Sequence, residues 1–260
     1  MATLVHEKFD PDWEARNGWS GHGGYDTPTA GVSGTGLRVL FREGSHYGMD
    51  RRKSVVPSDH VRLSFHMGAT YDWNSHETGK LIGFGDLRWE DAEGRTLGYG
   101  NRPPRPDGFS FRTWFGPTEV DGTGKRYVPV GAYVYHAGQA ETWGDHIRAG
   151  RVYIDSPAFT KIEVETNLRQ GWLRMRVGDD TWFNMDITVG DRTKITTAWL
   201  NGYYGHSGLT APSKFAADFD EYLLEALHSE PSEEEPLSAI TMAQVIEQLR
   251  TLADQMEAAG

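Results

Sequence analysis

The sequence predicts an all-β protein, a two-sheet antiparallel sandwich of jelly-roll type followed by a short C-terminal helix. Three observations carry that prediction. Stretches alternating apolar and polar residues recur at 61–67, 109–115, 161–166 and 172–177, and alternation with a period of two marks a strand with one buried face. The 31 glycines and 12 prolines suit many short strands joined by tight turns. No helical periodicity interrupts the strands before residue 238, which favours two packed sheets.

At 260 residues the chain has room for one large β domain with a sizeable core plus a small appendage. We read a sandwich over 1–228, an acidic, proline-bounded linker over 229–237, and an amphipathic helix over 238–260. The formal charge of −11 is concentrated at the end. Residues 218–260 hold 11 acidic side chains against the single basic Arg250, whereas residues 1–217 are nearly balanced, 26 acidic against 25 basic. No nucleic-acid partner is expected, because phosphate binding needs a concentrated positive surface. An acidic sugar fits, since a local cationic groove suffices. No run approaches the ~20 apolar residues of a membrane-spanning helix, and no basic-then-apolar leader opens the sequence. A cytoplasmic protein, or one released by lysis, is the expectation. Cysteine is absent, which excludes disulfides and thiolate metal sites; no metal or other cofactor is expected.

Taken in order, residues 4–9 read as a short strand and 10–30 as a Trp-, Gly- and His-rich segment wrapping the sandwich. Gly31, Gly34 and Gly36 are turn residues rather than a phosphate loop, since no helix pattern follows. Residues 37–42 form a strand. Residues 46–53 form a polar loop whose Arg51-Arg52-Lys53 cluster is either a solvated surface or a rim for an anionic polymer. In 61–67, Val61, Leu63, Phe65 and Met67 face one side, and Arg62, Ser64 and His66 the other. Asp72 and Asn74 begin like a calcium loop, but the required glycine and closing glutamate are missing. Residues 80–89 form a strand or strand pair. A long loop over 90–107, stiffened by Pro103, Pro104 and Pro106, carries Arg95, Arg102 and Arg105 and is placed to close over a groove.

Val120-Asp121-Gly122-Thr123 marks a turn. Residues 139–149 read as a loop with Trp143, His146 and Arg148, and Gly178-Asp179-Asp180 as another turn. Residues 182–187, 195–200 and 215–227 supply the last strands. Beyond the linker, Met242, Val245, Leu249, Leu252 and Met256 alternate spacings of three and four, the a/d pattern of a coiled coil. This helix either joins copies, docks the protein on a larger assembly, or packs on its own domain.

The chemistry concentrates in Gly79-Lys80-Leu81-Ile82-Gly83-Phe84, in 109–115 and in Ala132-Tyr133-Val134-Tyr135-His136. In the second segment Phe109, Phe111, Thr113 and Phe115 share one face, and Ser110, Arg112 and Trp114 the other. In the third, Tyr133 and Tyr135 point the same way. A sheet holding both strands has an aromatic core side and an opposite side of hydroxyl, guanidinium, indole and two phenols, which looks like a sugar-binding surface. Breaking an acidic polysaccharide by β-elimination needs a cation for the carboxylate, a base, and an acid for the leaving oxygen. Lys80 and Arg112 suit the first role. Tyr133 and Tyr135 suit proton transfer, given positive charge nearby, because a free phenol titrates at about 10. The alternative for a Tyr-x-Tyr pair is ordinary half-exposed packing. Hydrolysis by paired carboxylates is disfavoured, since neither central strand places Asp or Glu on its polar face.

The order Gly-Lys-Leu-x-Gly, Phe-Ser-x-Arg, Tyr-x-Tyr-His resembles the alginate and glucuronan lyases of polysaccharide lyase families fourteen and twenty. Gly36-Leu37-Arg38-Val39, Val61-Arg62-Leu63-Ser64-Phe65 and Lys214-Phe215-Ala216-Ala217-Asp218-Phe219 extend the likeness over 36–227. The family's usual Gly-Lys-Leu-Pro-Gly-Leu is here Gly-Lys-Leu-Ile-Gly-Phe, and its late Phe-Phe-Gly-Gly block is approximated by Asn201-Gly202-Tyr203-Tyr204-Gly205. The resemblance implies a lyase-type jelly roll with Lys80, Tyr133 and Tyr135 at the catalytic positions and Ser110 and Arg112 contacting substrate. Trp114, Arg62 and His66 join them as candidate substrate contacts from the polar strand faces.

Three functions are expected from this reading. One is a lyase acting on a uronic-acid polymer, another a non-catalytic binder of an acidic polysaccharide or cell-surface glycan. The third is a structural component of a larger assembly, held by the C-terminal helix. The lack of cysteine, the lack of a leader and the detachable helix together fit a bacteriophage particle protein that meets glycans after lysis.

Overall fold

The computed structural model describes residues 1–23, 31–32, 34–40, 47–70, 79–86, 108–136, 145–154, 156–191, 193–204 and 216–227. The elements in order are β1 (Ala2–Glu7), α1 (Trp13–Asn17), β2 (Ser20–Gly23), β3 (Leu37–Leu40), β4 (Tyr47–Ser58), β5 (His60–Thr70), β6 (Gly79–Gly85) and β7 (Ser110–Phe115). There follow β8 (Glu119–Val120), β9 (Arg126–Tyr135), β10 (Asp145–Tyr153), β11 (Thr160–Asn167), β12 (Trp172–Val177), β13 (Phe183–Asp186), β14 (Ile195–Tyr204) and β15 (Ala216–Ala226). They build two antiparallel sheets, as the alternation predicts. Sheet A runs β1-β15-β5-β11-β12-β13, with β3 also paired to β15. Sheet B runs β10-β9-β7-β6-β14-β4-β2, with β8 also paired to β9.

The core lies between the sheets and is filled by the apolar half of each alternation. From sheet A come Val61, Leu63, Phe65 and Met67 of β5 with Ile162 and Val164 of β11; from sheet B come Phe111 and Phe115 of β7 and Val128, Val130, Ala132 and Val134 of β9. Burial of this kind is worth ~1.5–3 kcal/mol per large side chain. Tyr222 on β15 spans the core, and its hydroxyl donates to the Gly83 carbonyl of β6 at 3.3 Å. Burial pushes that phenol well above its ordinary range, so it stays protonated and serves as a donor.

Two expected loops are strands. Residues 46–53 were expected as a polar loop, but β4 is a twelve-residue inner strand between β14 and β2. Its alternation is hidden because the core side of the row opposite Leu200 is occupied by Arg51, which is buried and paired with Glu14 of α1 at 2.5 Å. Likewise 139–149 contains the start of β10, an edge strand that pairs with β9 through a bulge between Arg148 and Gly150. The segment over 10–30 also contributes α1, and β2 as an edge strand. Turns at Asp121–Gly124 and after Val177 fall where expected, with Asp121 accepting from the backbone of Thr123 and Lys125.

The chain divides into two units, Met1–Leu227 and His228–Gly260. The second unit, and with it the expected linker and helix, lies outside the described residues, as do the loop over 90–107 and the Asp72/Asn74 segment. Among the described residues no helix is long and apolar enough to cross a membrane.

Candidate functional site

Strand register decides which side chains meet. Antiparallel pairing sets Ser110 opposite Tyr135 and Arg112 opposite Tyr133. On the other side of β7, Gly83 lies opposite Arg112 and Gly85 opposite Ser110. β14 continues the same rows, with Trp199 opposite Gly83 and Thr197 opposite Gly85. All of these positions are on the side of sheet B turned away from the core, because the residues alternating with them (Phe84, Phe111, Val134 and Ala198) belong to the core. A bulge in β6 between Lys80 and Gly83 brings Lys80 opposite Trp114, where simple alternation would have paired it with Phe115. Ser110, Arg112, Trp114, Tyr133 and Tyr135 therefore share one patch of two adjacent strands, and Lys80 holds the register position opposite Trp114 on the third.

Gly83 is what lets the patch close up. A Cβ there would run into the Phe111 carbonyl oxygen, and the missing side chain leaves space above β6. Arg112 reaches over it, placing its guanidinium carbon 4.6 Å from the centre of the Trp199 ring on the far strand. This cation–π contact is desolvated, since Arg112 and Trp199 are 1% and 0% exposed, a setting worth ~2 kcal/mol. Gly85 is constrained in the same way, with a Cβ falling 2.7 Å from the Phe109 oxygen.

The phenols are buried as well, Tyr133 at 1% and Tyr135 at 2% exposure, and Trp114 is half-buried. Two polar atoms on this face, Ser110 Oγ and Trp199 Nε1, are buried with no hydrogen bond among the described residues. An unmet buried donor or acceptor costs ~1–3 kcal/mol. Among the described residues no cluster of three or more histidine or carboxylate side chains is placed to hold a metal.

Arg62 and His66 are not part of this patch. Both alternate outward as expected, but β5 belongs to sheet A, so they point away from the opposite side of the sandwich. Alternation assigns a face within a strand, and only the pairing of strands assigns the sheet. Arg62 is held by Glu165 at 2.8 Å, and His66 lies 3.6 Å from Glu221. His136, next to Tyr135 in the chain, accepts from the Thr188 backbone at 3.2 Å. Trp199 was overlooked because it sits in an apolar stretch that reads as core. Its alternation with Ala198 and Leu200 was the available signal.

No protein-family model and no curated protein sequence matches the chain. Its fold is similar to that of the marine PL-14 alginate lyase from Aplysia kurodai, with a TM-score of 0.57 and 14% identity over 87% of this chain and 98% of that one. It is also similar to alginate lyase vAL-1 from Chlorella virus, with a TM-score of 0.56 and 14% identity over 87% of this chain and 99% of that one. These likenesses establish the lyase-like jelly-roll fold.

Proposed function

We propose that the protein binds a uronic-acid polysaccharide on the outer side of sheet B and cleaves it by β-elimination. The observation that supports this reading is the register that sets Arg112 opposite Tyr133 and Ser110 opposite Tyr135, with Lys80 at the position opposite Trp114 on the neighbouring strand. That two of its structural neighbours are alginate lyases is in keeping with it. In this reading Arg112 and Lys80 neutralise the sugar carboxylate, which acidifies the proton on the adjacent carbon. One tyrosine oxygen removes that proton, the bond to the glycosidic oxygen breaks as a carbon–carbon double bond forms, and the second phenol donates its proton to the leaving oxygen. Sugar hydroxyls supply the partners that Ser110 Oγ and Trp199 Nε1 lack among the described residues.

The test is incubation with alginate or glucuronan, following the ultraviolet absorbance of unsaturated ends. Activity is expected in the native protein, with a loss of at least about a hundredfold in Tyr135→Phe and in Lys80→Ala. Binding of a uronate polymer without any absorbance change would support the second reading, a non-catalytic glycan-binding or structural protein. One observation favours that second reading. Tyr133 and Tyr135 are at most 2% exposed, so cleavage requires that substrate gain access to them.

We also propose that 238–260 joins copies of the protein or docks it on a bacteriophage particle, supported by the a/d spacing of Met242, Val245, Leu249, Leu252 and Met256. Removing 238–260 is expected to lower the mass measured by light scattering while leaving the sandwich folded. An unchanged mass would count against joined copies, and absence of the protein from purified particles against the particle.

A further inference from the structure

Two irregularities of strand pairing meet across the core. In β15 the register to β5 slips between Asp220 and Leu223, so that Glu221 and Tyr222 together stand against Phe65 alone. Glu221 takes a left-handed φ of 53° there, a conformation that costs energy in a residue with a side chain. A bulge of this kind re-aims side chains. After Phe219, simple alternation would turn Glu221 into the core, and the extra residue turns Tyr222 in instead, at 0% exposure. In β6 the register slips beside one residue on both sides. Pairing with β7 is interrupted between Lys80 and Gly83, and pairing with β14 between Trp199 and Tyr203. Gly83 borders both interruptions, and its carbonyl is the one that the Tyr222 hydroxyl reaches, at 3.3 Å.

We infer that Tyr222 is a positioning residue for the cleavage proposed above, fixing the Gly83 carbonyl beside the contact of Arg112 with Trp199; the inference rests on the uronate reading. Gly83 lies opposite Arg112 on one side and opposite Trp199 on the other, so its placement sets the gap that the guanidinium spans. The same interruption sets Lys80 at the register position opposite Trp114. A hydroxyl among apolar side chains adds little net stability even when bonded, whereas a phenylalanine fills the same space with no polar atom to satisfy. What the hydroxyl adds is a fixed place for a backbone carbonyl where the ladder is interrupted. The ring itself is held from behind. Trp19 meets it edge-on with centroids 5.9 Å apart, and Trp19 Nε1 donates to the buried Glu7 at 3.2 Å. Glu7 also accepts from Asn17 Nδ2 of α1 at 2.7 Å. Tyr222 sits on the core side of the sheet and touches no reacting atom.

Steady-state cleavage of alginate and glucuronan by full-length variants, well below their melting temperatures, tests this. Tyr222→Phe removes one oxygen and keeps the ring. It is expected to lower kcat about tenfold with KM within about twofold of native, because a small misplacement of reacting groups slows the chemical step and leaves ground-state binding intact. Phe219→Leu, on the same strand and equally buried, disturbs the core at Phe65 and is expected to keep native kcat. Trp19→Phe keeps an aromatic ring beside Tyr222 but gives up the bond to Glu7. It is expected to lower kcat about threefold, and it carries the test if a thermal melt shows that Tyr222→Phe folds poorly. Native kcat in both the Tyr222 and Trp19 variants, an equal loss in Phe219→Leu, or a loss carried by KM alone refutes the positioning role and leaves the uronate reading standing. If the native protein cleaves neither polymer, the uronate reading falls and takes this role with it.

Discussion

The outward face of sheet A and the rows of sheet B that end at Tyr133 and Tyr135 are built from the same alternation and carry different partners. On sheet A the charged residues meet carboxylates, although His60 Nδ1, His66 Nδ1 and Arg174 Nε are buried with no hydrogen bond among the described residues. Glu165 receives His60 at 3.0 Å, Arg62 at 2.8 Å and Arg174 at 2.9 Å, while Glu163 pairs with Lys161 at 3.1 Å and also with Arg176. Trp182 lies against both Arg174 and Arg176, at 4.7 and 4.9 Å. On sheet B the rows ending at Tyr133 and Tyr135 have a guanidinium, an indole, hydroxyls and phenols but no acid. Buried polar atoms without a hydrogen bond among the described residues occur on both faces, so the difference lies in the carboxylates that sheet A sets among its cations. Fold placement and polarity alone do not separate the two; the presence of carboxylates at the matching register does.

The largest effect that would sharpen this contrast is on the sheet A side. Burial by itself would raise the pKa of Glu165, but hydrogen bonds from Arg174, Arg62 and His60 outweigh it and hold the carboxyl at about 2, from an ordinary 4.5. Glu165→Ala leaves these cations facing one another and is expected to cost about 2 kcal/mol, less than the ~3–5 kcal/mol of a fully buried pair. The discount reflects Arg62 and Arg174 side chains that are 34% and 36% exposed. Because the folded pKa is depressed, the stabilisation is complete above pH 4.5 and is lost as pH falls towards 2. Glu163, lowered by Arg176 and Lys161 against the opposing effect of its burial, adds in the same direction. Urea unfolding at pH 6 and pH 2.5 checks this. The native protein should lose more stability than Glu165→Gln between those values, and equal losses would show that the cluster does not couple to folding. Uronate binding on sheet B should be unaffected.

A smaller effect is expected on the other face. Ser110→Ala removes a buried hydroxyl with no hydrogen bond among the described residues. Stability without ligand should therefore hold or rise, by up to ~1 kcal/mol, while sugar binding weakens about tenfold. Calorimetric melting and titration of the same sample separate the two. A loss of more than about 1 kcal/mol in the unliganded protein would mean that the hydroxyl is already satisfied, and the contrast between the faces would fail.

Much of this architecture was legible because strand alternation is local. Phe111 and Phe115 against Ser110 and Arg112, Val128 to Val134 against Tyr133 and Tyr135, and Leu63 and Phe65 against Arg62 and His66 all point as their spacing requires. β4 and β10 were missed because their pairing comes from neighbours rather than from their own pattern. Arg51 interrupts the apolar half of β4, and β10 is an edge strand that leaves its expected loop only to pair with β9.

By itself the sequence determined the all-β class and the face on which each residue of the clear strands lies, since both follow from a backbone that turns its side chains to opposite sides at every step. Only the tertiary structure decided which strands become neighbours, because pairing joins residues far apart in the chain. That is why Arg62 and His66 went to one sheet and Arg112 to the other. It is also why Trp199, 87 positions beyond Arg112, came to lie under its guanidinium across a glycine.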